Sequence, residues 1–156
     1  MVATGASLDT LVINAAFLQE IKDCNPNLWQ VQHQLRQVCE SDQEPGVVAR
    51  LLVQLLDDFR DRLSMQFALE ESYGYQSASA GSIDAMVSPE MVSKAHQQHC
   101  HLYLEICDLA EQAEELQYRG VDPSALTKLV QATQAFDDHL RKHEQLESEL
   151  IDQFFE

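Results

Sequence analysis

Two distant segments, Gln66-Phe67-Ala68-Leu69-Glu70-Glu71 and His139-Leu140-Arg141-Lys142-His143-Glu144, share one frame. Each has a polar residue able to ligate, then an apolar one, two spacers and an ionisable pair. Both lie in strongly helical sequence, and the first and fifth positions of each fall on the stripe that faces a core. A soluble helix fills that stripe with Leu and Val. Placing Gln66, Glu70, His139 and His143 there is costly unless they bind something or satisfy one another. The chain is thereby pushed towards a fold in which polar groups from separate helices converge, and a helix bundle with inward-projecting side chains does this.

The rest of the pattern is helical too. Five Gly and four Pro are few for 156 residues, which favours an all-α chain over a β-rich one. Ser7 or Asp9 can open a first helical stretch through Leu8, Leu11, Val12, Ala15, Leu18 and Ile21. Asn25-Pro26 interrupts it. Pro26 lacks a backbone donor, so the helix either kinks there or restarts with Asn25 as its cap. Leu28, Val31, Leu35 and Val38 then continue the stripe.

After a turn at Ser41–Gly46, a second long helix carries Val48, Leu52, Leu55, Phe59, Leu63, Gln66 and Glu70 on one face. It frays near Tyr73-Gly74-Tyr75. Residues 75–87, rich in Ser, Ala and Gly, read as one flexible connection. Ser88-Pro89-Glu90 starts a third helix with the stripe Val92, Ala95, His99, Leu102, Ile106 and Leu109, which Arg119-Gly120 closes. Asp122-Pro123 opens the last helix, with Leu126, Leu129, Thr133, Phe136, His139, Leu140, His143 and Leu150 on its buried side. The expected fold is a single domain over 1–156, an up-down-up-down four-helix bundle with its core at about 15–152.

The formal charge of −16 would repel nucleic-acid phosphates and anionic membrane surfaces while welcoming cations. The start of the chain has no basic segment followed by an apolar one. No apolar run approaches the roughly 18 residues of a membrane span. Four Cys, at 24, 39, 100 and 107, form no C-x-x-C pair and read as reduced, mostly packed side chains. These features together suggest a soluble, cytoplasmic protein. Neither a phosphate-binding Gly loop nor a G-x-S-x-G nucleophile turn occurs.

Each polar residue on the stripe has two readings. Glu70 is a metal ligand, or an acid near a helix end that reaches water or pairs with an inward His. His139 and His143, one turn apart, can chelate one ion or act as core histidines bonded to Glu70 or a carbonyl. His99 is their counterpart on the third helix, with His96 at the edge of the stripe and His101 outside it. Glu144 and Glu147 flank the pair, and Glu144 can still reach a central ion. Glu71 reads as a solvated partner of a basic residue.

The Q-F-x-x-E-E segment, a His on the third helix and H-L-x-x-H-E on the fourth occur in an order that resembles the hemerythrin-like (HHE cation-binding) domains over roughly residues 15–152. That resemblance implies a four-helix bundle around a non-haem di-iron centre held by His and carboxylate side chains. Glu70, His99, His139 and Glu144 match ligand positions by type. His143 stands where the family has an acid, Gln66 where it has a His, and Asn25 near the place of its first-helix His.

Neutral amides are poor iron ligands beside imidazole and carboxylate. The expectation is therefore at most one non-haem divalent ion, iron before manganese or zinc, on Glu70, His99, His139, His143 and Glu144. Gln66, Asn25 and His96 would orient those ligands from outside. The leading reading is a cation-binding protein without a defined turnover. One alternative is a metal-free bundle that serves as a protein-interaction module, its polar core satisfying itself. Another is a non-haem iron redox or peroxide-handling enzyme.

Overall fold

The structure is a computed structural model that describes residues 10–78 and 89–155. In chain order its elements are strand β1 (Thr10–Ile13) and helices α1 (Ala15–Asp23), α2 (Pro26–Cys39) and α3 (Pro45–Leu69), then a π-helical turn (Glu70–Gly74) and strand β2 (Tyr75–Ala78). Helices α4 (Pro89–Arg119) and α5 (Pro123–Phe155) complete the chain. The class is all-α, with one short antiparallel ribbon in which Ile13 pairs with Tyr75 and Thr10 with Ala78. No helix among the described residues is long and apolar enough to cross a membrane.

Two local expectations are corrected, and the open one at Pro26 is decided. The first helix begins at Ala15 rather than near Ser7 or Asp9, which lie outside the described residues. Thr10-Leu11-Val12-Ile13 is rich in β-branched side chains and finds a pairing partner in β2. Asn14 then caps α1, its Oδ1 accepting the Phe17 N–H at 3.0 Å. Pro26 separates two helices: it sits in the first turn of α2, and the Asn25 side chain, instead of capping, donates from Nδ2 to Gln66 Oε1 at 3.0 Å. Tyr75–Ala78 is a strand and not part of a flexible connection, while residues 79–87 of that connection lie outside the described residues.

The end of α3 does not fray. It widens into the π turn, in which the Tyr75 N–H bonds the Glu70 carbonyl five residues back. This rotates the chain so that Glu70 and Tyr75 both face inward. At about 100° per residue an α-helix would set them roughly 140° apart. Gly74 lets the turn lie directly on α1, where a Cβ would collide with the Leu18 side chain. The Gly74 carbonyl also accepts the Asn14 N–H at 2.7 Å, tying the start of α1 to the turn.

Helix α2 packs on α3, α3 on α4, α4 on α5, and α5 on both α1 and α2. Cross-helix pairs run in opposite chain directions: His99 and Glu105 of α4 lie at the level of His143 and His139 of α5. On the other side, Gln32 and Arg36 of α2 bond Asp137 of α5. The apolar interior falls into two clusters. The larger runs from Leu28 through Leu63 and Phe67 to Leu140, and the smaller gathers Ala15, Leu18, Tyr75, Val92, Ala95, Leu150 and Ile151. Helices α4 and α5 pass from one cluster to the other through polar residues, His99 on α4 and His143 and Glu147 on α5, and Lys22 of α1 reaches Glu147 at the same level. The result is a polar layer sealed between two apolar ones.

Two expected stripe positions shift. Leu56 takes the buried place expected for Leu55, and His139 is exposed. Cys24 and Cys100 are also exposed rather than packed. Replacing Gly74 with Ala forces Leu18 or the π turn to move, and should destabilise the fold by about 1–3 kcal/mol in urea unfolding, as overpacking does. An unchanged midpoint would show that the close approach carries no weight.

Candidate metal centre

Glu70, His99, His143 and Glu147 converge in the polar layer, all four buried, with one potential ligand atom of each within 4.8 Å of every other. Their positions follow from the helix periods. His143 and Glu147 are one turn apart on α5, continuing the stripe of Phe136 and Leu140. His99 continues the stripe between Ala95 and Leu102 on α4. Glu70 enters at the start of the π turn.

The two imidazoles are fixed from behind. His99 Nδ1 lies 2.7 Å from Glu71 Oε1, and His143 Nδ1 lies 2.8 Å from Gln98 Oε1. A neutral ring whose Nδ1–H donates outward presents the Nε2 lone pair inward, as metal-binding histidines do. Phe67 stacks on His99 at 4.1 Å between centroids and meets His143 edge-on, so neither ring is free to swing.

Inward, His99 Nε2 lies 3.1 Å from Glu70 Oε1 and 3.3 Å from Glu147 Oε2, and His143 Nε2 lies 3.2 Å from Glu147 Oε1. Two atoms that share an ion at about 2.1 Å sit roughly 3.0–3.4 Å apart at octahedral or tetrahedral angles. The spacing thus suits ligands of one ion. Both Nε2 atoms and both Glu70 oxygens lack a well-formed hydrogen bond among the described residues. Buried polar atoms left this way are expensive, and a cation between them would satisfy all four. The residues present therefore fit a divalent metal.

Lys22 borders this group. Its ammonium is 2.7 Å from Glu147 Oε1 and 3.5 Å from Glu70 Oε2, and it also bonds Glu144 Oε2. The Tyr75 hydroxyl donates to Glu147 Oε2 at 2.6 Å. Every oxygen of Glu147 is thus shared, one between Lys22 and His143, the other between Tyr75 and His99.

Burial opposes charge throughout the layer, and pairing decides which groups keep it. Burial works against a charged His99, but the carboxylates of Glu147, Glu70 and Glu71 close around the ring outweigh it and push the imidazole up to about 11. Burial also works against ionised Glu147, but His143, His99 and Lys22 hold this carboxyl well below the usual range. Glu70 is raised, by burial first and by the Glu147 charge second. For Lys22, burial is overcome by Glu147, Glu144 and Glu70, which keep the ammonium charged. Burial and the Glu147 charge raise the Tyr75 phenol, which stays a neutral donor.

Of the residues expected to ligate, Glu70, His99 and His143 come together. His139 does not. It lies at the edge of the α5 stripe, its side chain 54% exposed, with Nδ1 3.0 Å from Glu105. The stripe here advances through Phe136, Leu140, His143 and Glu147, so the inward place expected for His139 belongs to Leu140. Glu144 is partly exposed and pairs with Lys22 at the rim. Gln66 is fully buried and bonded to Asn25, as outer supports of the layer. His96 is exposed and shares Glu71 with His99. Glu71 is partly exposed and pairs with His96, as a solvated partner of a basic residue, and it also orients His99.

Glu147, Lys22 and Tyr75 were missed. Glu147 was legible as the residue one turn beyond His143. Lys22 gives no signal on a polar flank of α1, and Tyr75 needs the π turn to face inward. Compared with family models, with curated proteins and with solved structures, the chain gives no match in any of the three.

Without metal, the layer has a defined pH response. His99 is raised above its ordinary 6.5, so its contribution to stability is full below 6.5 and falls away as pH rises towards about 11. Glu70, also raised, acts in the same sense but from 4.5 upward, so it tilts the maximum towards the acid end of the range. Glu147 is depressed, so its contribution holds above 4.5 and is lost as pH falls below it. Chelator-treated protein should therefore melt highest between 4.5 and 6.5, and His99→Gln should flatten the alkaline decline. Circular dichroism melts across this range test the sign, and a melting point that climbs steadily above 6.5 would refute it.

Proposed function

We propose that this chain is a hemerythrin-like cation-binding protein of the cytoplasm, an up-down-up-down four-helix bundle that holds one non-haem divalent transition ion. The ligands are His99 Nε2, His143 Nε2 and the carboxylates of Glu70 and Glu147, with iron the first candidate. The supporting observation is the pair of imidazoles, each anchored through Nδ1 and each turning towards buried Glu147 an Nε2 without a well-formed hydrogen bond among the described residues, with Glu70 beside His99. Two imidazoles with two carboxylates form a mixed N/O set suited to Fe, Mn or Zn. A bound ion would supply Lewis acidity, and redox chemistry if it is iron. The residues of the chain hold the ligands in register, and the apolar clusters on either side keep bulk water from the layer.

A metal-free scaffold is the competing reading. Lys22 serves it by pairing with Glu144 and Glu147. That pairing leaves both Nε2 atoms and Glu70 without well-formed bonds, so the metal reading accounts for more of the layer.

Anaerobic addition of Fe(II) or Co(II) to purified protein should load one ion per chain and raise the melting point by mass action, about 2.7 kcal/mol at a hundredfold excess over Kd. His143→Ala should abolish both effects. His139→Ala should keep both and change stability by less than about 0.5 kcal/mol, as an exposed site does. Uptake below about a tenth of an ion per chain, or loss of uptake in His139→Ala with retention in His143→Ala, would sink this assignment.

A further inference from the structure

We infer that Lys22 is a built-in second cation: its ammonium fills the place among Glu144, Glu147 and Glu70 that a further divalent ion would otherwise take, and so limits the centre to one metal ion. The inference deepens the metal reading above and rests on it.

The geometry carries the argument. Lys22 lies on the last turn of α1, its side chain only 10% exposed, and reaches three carboxylates from two other parts of the chain. Its contact with Glu147 is to Oε1, the same oxygen that faces His143 Nε2 at 3.2 Å. A carboxylate oxygen with a cation on each side is the arrangement of a bridging ligand. Here one of the two places is held by an ammonium that the chain itself provides. A protonated amine donates three hydrogen bonds and offers no lone pair, so Lys22 can stand in for a cation but cannot ligate one.

The position also faces outward. Lys22 and Glu144 form part of a surface cleft with Trp29 and Arg141. Any ion that reached the three carboxylates from this side would have to displace the ammonium. Bound water or a neutral side chain in place of Lys22 would raise no such barrier.

Lys22 also offsets one of the carboxylate charges gathered around it, those of Glu70, Glu144 and Glu147. A second divalent ion beside a retained ammonium would crowd further positive charge into buried surroundings, which low dielectric disfavours.

The test counts Co(II) bound per chain by elemental analysis after gel filtration, alongside visible d–d absorption, for wild type, Lys22→Gln and Lys22→Arg. The expected counts are one for wild type, two for Lys22→Gln and one for Lys22→Arg, which keeps the charge. Metal-free Lys22→Gln should also melt below wild type and regain that loss on adding Co(II). A wild-type count of two overturns the inference while leaving the metal reading intact. A Lys22→Gln count equal to that of wild type overturns it as well. If wild type binds none and Lys22→Gln binds one, the metal reading of the native chain fails, and the role of Lys22 as a substitute cation stands. Should Lys22→Gln stay unfolded even in saturating Co(II), an ion cannot replace the ammonium, and the inference is overturned.

Discussion

The buried carboxylate of Glu147 carries the interior of this protein. It sits in α5 between two apolar clusters, and an ionised group at such a depth is tolerated only when its lone pairs are used. Lys22 of α1 and His143 of α5 share one oxygen, and Tyr75 of β2 and His99 of α4 share the other. Four elements are thus held in register by one side chain. Removing it would take a partner from Lys22, His143, Tyr75 and His99 at once, a larger penalty than the loss of any one contact.

The layer around Glu147 explains the less regular features of the fold. The π turn after α3 adds the extra rotation that brings Tyr75 inward beside Glu70. The ribbon between β1 and β2 then fixes Tyr75 in the smaller apolar cluster, and Gly74 allows the turn to rest against α1. That same contact sets the level of α1, and so the depth at which Lys22 enters. Irregular backbone, close packing and the charge at the centre are parts of one arrangement. Dry apolar layers above and below raise the strength of every charge interaction between them.

Much of the architecture was legible in the sequence. Apolar residues at three- and four-residue steps marked α3, α4 and α5. Gly120, the one residue described here with φ in the left-handed region, ended α4 where the pattern indicated. Glu70, His99 and His143 stood out because ionisable side chains on an apolar stripe demand partners. The pattern failed where its assumptions failed. His139 looked equivalent to His143, yet the buried stripe of α5 is only a few residues wide, and His139, roughly 60° round the helix from Phe136, falls on its edge. Tyr75 was hidden because α-helical periodicity does not survive a π turn. The strand at Thr10–Ile13 was read as helix because its partner lies more than sixty residues on in the chain.

By itself, then, the sequence determined that long helices bury a layer of Gln, Glu and His, because periodicity and side-chain type are local properties. It also determined an acidic chain with a formal charge of −16. Only the tertiary structure decided which of those groups meet. Glu147 rather than Glu144 lies at the centre, His139 is outside it, and a lysine from the first helix sits among the acids. These are facts of distance between separate elements, set by how helices pack and by where one turn widens, and no spacing along a single helix encodes them.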